Sequence, residues 1–383
     1  MGAELTERDG ASADDELRPY LLFAADRVFR VVLEALAHID EWEPWAPFVR
    51  GYHVDLSPTF SLTVGARGLT RAEGEEIWRR LLRAPDLAAK LQFALWAAYF
   101  DGGGRPSTRV WTSLDSFLAR LGYTRHPSGG YLPRDLRLVA QTLEAVVGLA
   151  VAGRWTDPKH RKDHTITGPL WQEGLVVMER RAGARERIWV AHQPGPWFVD
   201  SAWLAQNGFI GRVDAALLKL DTRRDRWAIR VGSAWAWRAK TNLQSGPVLK
   251  LRVRSLVDQT GASGQGRPGR AQGQIEAAHD RLVALGLISR WEWLPGPAAG
   301  WLAGSIRVEW SGSEAPLAAG TIPILTGSDT HPQWQRHPSS VAAGEIANPP
   351  NRSNGSKGRP LTLRAGAASS LSATRRPARE VVA

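Results

Sequence analysis

Arg134, Arg137 and Gln141 follow one another at single-turn intervals on a stretch that opens with Pro133. Proline is preset for a first helical turn. Leu136, Val139, Ala140, Leu143, Val146 and Val147 keep the other side apolar, so the spacing predicts a helix with the polar row and Glu144 facing outward. Arginine and glutamine pair bidentately with guanine and adenine edges, so the chemistry on offer is recognition of duplex DNA. The same row also describes any solvated helix face. A second set lies further along, with Arg267 and Arg270 in a Gly-rich loop, Gln272 and Gln274 leading into a helix, and Arg281 on it. Ile275, Ala278, Leu282 and Leu285 are that helix's expected inner stripe. A third set, Lys159, Arg161 and Lys162, sits in the segment TDPKHRKDHTITG between apolar strands. A basic hairpin tip of this kind suits phosphate oxygens.

Other chemistries find less support. The chain has no cysteine, which excludes disulfides, thiolate metal sites and a thiol nucleophile. His160 and His164 lie in a Lys/Arg-rich loop without a carboxylate framework, so no metal is expected. A literal G-x-G-x-x-G at Gly264, Gly266 and Gly269 follows a helix and contains Pro268, the wrong setting for a nucleotide loop. No Walker-type sequence appears. Tyr123 and Tyr131 have no evident metal site, and the acidic residues are scattered. No catalytic residue, no cofactor and no enzyme activity are expected, with a DNA nicking or strand-transfer enzyme kept as a third reading.

The elements that would position these residues repeat one grammar. SLDSFLARLGY, a Gly/Pro/Arg break and PRDLRLVAQTLEAVVGLAVAGRW make the first copy. LKLRVRSLVDQTGA, a Gly/Gln/Arg break and GQIEAAHDRLVALGLISRWEW make the second. Gly122 to Gly148 spans 26 residues and Gly261 to Gly286 spans 25, and each copy ends in a strand carrying Arg-Trp. Helix, loop, helix and β-ribbon describe a winged helix, which presents a helix to a DNA groove. The expected fold is α+β, with two tandem winged-helix domains at 85–200 and 201–311. An acidic disordered segment over 1–17 and a helix/hairpin extension over 18–84 precede them. The extension comprises a helix over 18–40, a hairpin around Ser57-Pro58 and a helix over 73–83. A basic disordered tail over 312–383 follows.

Among 383 residues Lys plus Arg outnumber Asp plus Glu by 49 to 38, a net charge of +11. Residues 217–310 hold 15 basic and seven acidic residues, so the second copy carries most of the excess. Such a balance favours a polyanionic partner through counterion release. The N-terminus is acidic, unlike a secretory signal, and the apolar run from Tyr20 to Ile39 is broken by charges. A cytoplasmic location and no membrane association are expected. Eighteen tryptophans stand against five tyrosines; helix–strand seams are their expected home, base stacking the alternative.

The helix ending Leu121-Gly122-Tyr123, the helix ending Val-Gly-Leu, the strand pair and the diverged second copy resemble bacterial plasmid replication initiators. The resemblance covers roughly residues 75–310, in layout more than in exact motif. It implies two related winged-helix domains on repeated origin sequences called iterons, with the C-terminal copy making the main base contacts. It also implies a homodimer that represses its own promoter, a monomer that opens the origin, and host replication initiator and helicase partners. A winged-helix transcriptional regulator remains the alternative.

Overall fold

Local sequence dictates most element ends in the computed structural model. It describes residues 20–24, 27–57, 60–102, 109–127, 129–157, 162–172, 175–179, 187–195, 197, 210–241, 248–262, 268–296 and 300–311. All lie in one unit, Met1–Thr326. The expectations for 1–17 and for the tail over 312–383 fall outside the described residues.

The chain enters through β1 (Tyr20–Ala24) and α1 (Arg27–Ala37), not through one helix over 18–40. Apolar spacing there fits both structures, and a distant strand decides, because Tyr20–Ala24 pairs antiparallel with Ile210–Asp214. Next come β2 (Glu43–Trp45), β3 (Phe48–Ser57) and β4 (Phe60–Ala66), the last two forming the expected hairpin. Helix α2 (Arg71–Arg83) starts in a capping box, with Thr70 Oγ1 accepting from the Glu73 amide and Glu73 accepting from the Thr70 amide. Helix α3 (Pro85–Asp101) is buried nearly all round, as its Leu, Ala, Phe and Trp content demands, and forms the spine of this half.

Then β5 (Val110–Ser113) leads into α4 (Leu114–Arg120), capped by Ser113, and α5 (Pro133–Val147) follows. Strands β6 (Leu149–Asp157), β7 (Lys162–Pro169), β8 (Leu175–Glu179) and β9 (Arg187–His192) complete the N-terminal half. The C-terminal half runs β10 (Ile210–Asp214), α6 (Ala215–Lys219), α7 (Arg226–Thr241) and β11 (Val248–Arg252). It continues through α8 (Val253–Thr260), α9 (Pro268–Ala284), β12 (Ile288–Leu294) and β13 (Ser305–Trp310). The fold is α+β, with helices packed on antiparallel sheets.

The repeated grammar becomes a repeated element order. In both halves a helix, a short strand and two helices precede the remaining strands, and the short strand pairs with the last one. The sheets are ordered β5-β9-β8 and β11-β13-β12. Two departures were not expected. Part of the supposed hairpin-tip loop is strand β7, and β6 pairs with β4 instead of with β8 or β9. The resulting sheet, β2-β3-β4-β6-β7, crosses the boundary expected at 84/85. Gly153 permits this: a Cβ there would lie 2.5 Å from Leu62 Cδ2 on the neighbouring strand.

The halves share one hydrophobic core and are joined by buried polar contacts. Arg230 on α7 donates through Nε to Asp86 Oδ1 on α3 at 2.6 Å, and through Nη1 to the carbonyls of Ala37 and Thr260. Lys90 Nζ donates to Leu121 O at 3.3 Å and to Leu220 O at 2.7 Å, one carbonyl from each half. Gly122 and Gly261 end α4 and α8 with φ of +79° and +69°. Each also abuts the opposite half: an added Cβ would sit 2.8 Å from Lys219 Cα or 2.7 Å from Ala37 O. The glycines are needed twice over, for conformation and for approach. Most described indoles are interior, with Trp171, Trp197 and Trp235 fully buried and Trp45 and Trp111 the exposed ones. No helix among the described residues is long and apolar enough to cross a membrane.

Candidate nucleic-acid interface

Helix α9 buries Ala271, Ile275, Ala278, His279 and Leu282 and turns Gly269, Arg270, Gly273, Ala277, Arg281 and Ala284 outward. Two indoles clamp it to the hairpin that follows. Trp291 Nε1 donates to Asp280 Oδ1 at 2.9 Å, and Trp293 Nε1 to Glu276 Oε1 at 3.0 Å. Beneath them His279 Nδ1 donates to Ile275 O at 2.7 Å and Nε2 accepts from Trp235 Nε1 at 2.9 Å. Both ring nitrogens serve the neutral form, and burial pushes this histidine down to about 4. The Arg-Trp-Glu-Trp stretch therefore fixes the angle between helix and ribbon.

Of the residues expected to read DNA from this half, Arg270 is open to solvent with no ion-pair partner among the described residues. Gln272 is half-buried and donates to Glu276 Oε1 at 2.9 Å, toward Trp293 and away from the outward face. Gln274 is half-buried, and its Oε1 has no hydrogen-bond partner among the described residues. Arg281 Nε donates to Asp225 Oδ1 at 3.0 Å, which ties the end of α9 to the start of α7. Arg267 lies outside the described residues. The spacing brought these residues to one helix but did not show that two of them hold protein partners.

In the N-terminal half Arg134, Arg137 and Gln141 face solvent, and the Arg134 side chain is 81% exposed. Glu144, expected beside them, is held from outside by Arg80 Nη1 at 2.6 Å. Arg80 belongs to α2, which runs over the last turns of α5: Ala145 is fully buried, and a Cβ on Gly148 would meet Ile77 Cδ1 at 2.7 Å. Only the first turns of α5 are open. Lys159 and Arg161 lie outside the described residues; Lys162 begins β7, and its side chain is likewise outside them.

Three exposed cations were missed. Lys250 and Arg252 stand on the outward face of β11, whose residues alternate exposed and buried, and Arg254 stands on the first turn of α8. Leu-Lys-Leu-Arg-Val-Arg has a period of two, a strand signal, yet it was absorbed into the helix that follows. The three side chains have no ion-pair partner among the described residues.

No protein-family model, curated protein or solved structure matches this chain.

Two places bring together residue types suited to hydrolysis or strand cleavage. His53 bridges Thr63 Oγ1 at 2.8 Å and Asp55 Oδ1 at 3.2 Å, a hydroxyl–imidazole–carboxylate order. Thr63 is only 4% exposed, so the bridge braces strands β3 and β4 and offers no reachable nucleophile. Tyr131, the candidate nicking residue, is buried, with the Arg125 guanidinium 5.8 Å from its ring centre. No group of three or more His, Cys, Asp or Glu among the described residues could hold a metal.

Proposed function

We propose that the chain binds double-stranded DNA sequence-specifically through two tandem winged-helix units, and that it acts as a plasmid-type replication initiator on repeated origin sites. The observation that carries this reading is the outward face of α9, with Arg270 exposed at its N-terminal end and without an ion-pair partner among the described residues, and the β12–β13 ribbon clamped behind it. A helix N-terminus at the groove and a flanking ribbon are the working parts of such a unit. The element order and the pairing of first strand with last support the same reading for the N-terminal half. Cytoplasmic action, a homodimer, and contacts with host initiator and helicase belong to this proposal, which requires no cofactor and no catalytic residue.

Footprinting on DNA flanking the coding region tests it. Protection of tandem direct repeats, each about 20 base pairs long and beside an AT-rich stretch, is expected of two adjacent groove readers. Protection of one inverted repeat at a promoter would assign a transcriptional regulator instead. Neutralising Arg267 and Arg270 together is expected to reduce the slope of log affinity against log salt by about 2. An unchanged slope would remove this end of α9 from the interface.

A further inference from the structure

A cavity of about 320 Å³ lies where α1 of the N-terminal half meets α7, β11 and α8 of the C-terminal half. Arg30, Glu34, Trp237, Arg238, Ser255 and Asp258 line it. We propose that this cavity is a binding site for a guanine base, presented by a nucleoside or by an unpaired nucleotide. The site stands apart from the DNA-binding reading and does not require it.

The walls hold polar groups that the protein leaves incompletely satisfied. Glu34 is buried, yet among the described residues its carboxylate has only long hydrogen bonds, 3.5 Å from Arg30 Nη2 and 3.4 Å from the Tyr52 hydroxyl. Burial raises its pKa despite the nearby arginine, as expected of a carboxylate short of donors. The Nε of Arg30 is buried with no hydrogen-bond partner among the described residues. A neighbouring pocket of about 30 Å³, also lined by Arg30, Glu34 and Trp237, reaches Arg230. The Arg230 side chain is 5% exposed, and its Nη2 has no partner among the described residues. Native proteins rarely leave such groups unmet, because each costs its full desolvation penalty.

The ligand's chemistry follows from the walls. Two arginines face two carboxylates, so the cavity has no net charge to attract a polyphosphate. Glu34 calls for adjacent donors, and Arg30, whose guanidinium lies over the Trp237 ring at 5.5 Å from its centre, calls for an acceptor pair on a flat ring. Guanine places two donors together at N1 and N2 and two acceptors at O6 and N7, the pair that arginine recognises. Adenine has no such two-donor edge, and neither pyrimidine combines the two sets. The volume is at the lower end for small-molecule sites and suits a base with its sugar.

Guanosine, inosine, adenosine and guanosine triphosphate added separately to the full chain, read by thermal shift and tryptophan fluorescence, test the site. Guanosine is expected to raise Tm by about 4 °C or more at saturation. Adenosine should bind at least about tenfold more weakly, and the triphosphate no tighter than the nucleoside. Inosine lacks the N2 amine and should also lose about tenfold, a comparison that needs no variant. Glu34→Gln keeps the shape and should abolish the preference for guanosine over adenosine. Competition by a short unpaired oligonucleotide containing guanine would assign the base to nucleic acid, and its failure would assign a free nucleoside; both support the site. Equal binding of guanosine and adenosine, no binding of either, or affinity that grows with phosphate number would overturn it.

Discussion

Helices α5 and α9 hold the same place in the element order of their halves, yet they are presented differently. The outward face of α9 exposes Gly269, Gly273, Ala277 and Ala284, with Arg270 at one end and Asp280 and Arg281, both held by protein partners, near the other. The outward face of α5 carries Arg134, Arg137, Leu138 and Gln141 and is covered at its end by α2 through Arg80 and Ile77. Element order alone therefore does not set what a helix can touch; what packs outside it does. Small outward residues let a helix backbone approach a groove floor, whereas long ones keep the partner at side-chain distance. Under the DNA-binding proposal, α9 reads base edges and α5, flanked by α2, meets the backbone beside them.

The largest expected effect comes from breaking the joint that holds the two helices in one frame. Asp86→Ala removes the carboxylate beside the buried Arg230 guanidinium and leaves that charge with two backbone carbonyls and the Trp227 ring. Loss of one member of such a pair is expected to cost about 3–5 kcal/mol in urea unfolding. A cost below about 1 kcal/mol would show that the joint contributes little. The surface pair Arg80–Glu144, by contrast, should be worth less than about 1 kcal/mol to stability.

Acid should loosen both halves by one mechanism. His192 lies in the N-terminal half and His279 in the C-terminal half; burial lowers each to about 4. A histidine whose folded pKa lies below its unfolded value takes its proton first in the unfolded chain. Its neutral-form stability is complete above about pH 6.5 and is lost as pH falls toward 4. At pH 5 the loss should be about 2 kcal/mol for each histidine, read as a falling urea midpoint. A His279→Gln variant whose midpoint falls as steeply as the parent's would exclude the C-terminal histidine from this response.

Legibility in the sequence followed the range of the forces. Capping and left-handed glycines act within a few residues, so Ser113, Pro133, Gly122 and Gly261 announce the ends of α4, α5 and α8. The inner stripes of α5 and α9 were equally plain from 3.6-residue spacing. The pairing of β1 with β10 and of β4 with β6 was not, because register between distant segments leaves no local mark. The same holds for side-chain commitments. Nothing in the spacing of Gln272 or Arg281 shows that Glu276 and Asp225 already hold them. Nothing local marks Lys90 or Arg230 for burial, and only the packed halves reveal the carbonyls they bridge.

Gly273 separates the two roles of α9. An added Cβ there meets nothing within 4 Å, and the position lies within the helix. Gly273→Ala should therefore stabilise the protein by up to about 1 kcal/mol, since glycine is a poor helix former. Gly273→Leu should leave the fold intact and lower DNA affinity about tenfold or more by holding the backbone off the groove. The matching change on the open turns of α5, Leu138→Ala, should alter affinity by no more than about threefold, because that helix is expected to meet the backbone and not base edges. An unchanged affinity in Gly273→Leu would take α9 off the DNA.

The smallest effect sharpens the comparison most. Glu144 caps the open part of α5 with negative charge and shares Arg80 with Glu76. Those two acids raise the Arg80 pKa, the hydrogen bond that Arg80 donates to Glu76 contributing most. Glu144→Gln keeps the side chain's size and removes one negative charge from the rim where α2 crosses α5. Arg80, still held by Glu76, would then present more of its charge outward. If the N-terminal half lies along a phosphate backbone, affinity at low salt should rise by about threefold, within the range of a single exposed pair. The gain should vanish at high salt as screening shortens its reach. The same change should do nothing to the salt slope contributed by Arg270, which sits on the other helix. A gain at every salt concentration would mean altered packing between α2 and α5, and no gain at all would place DNA on the C-terminal half alone.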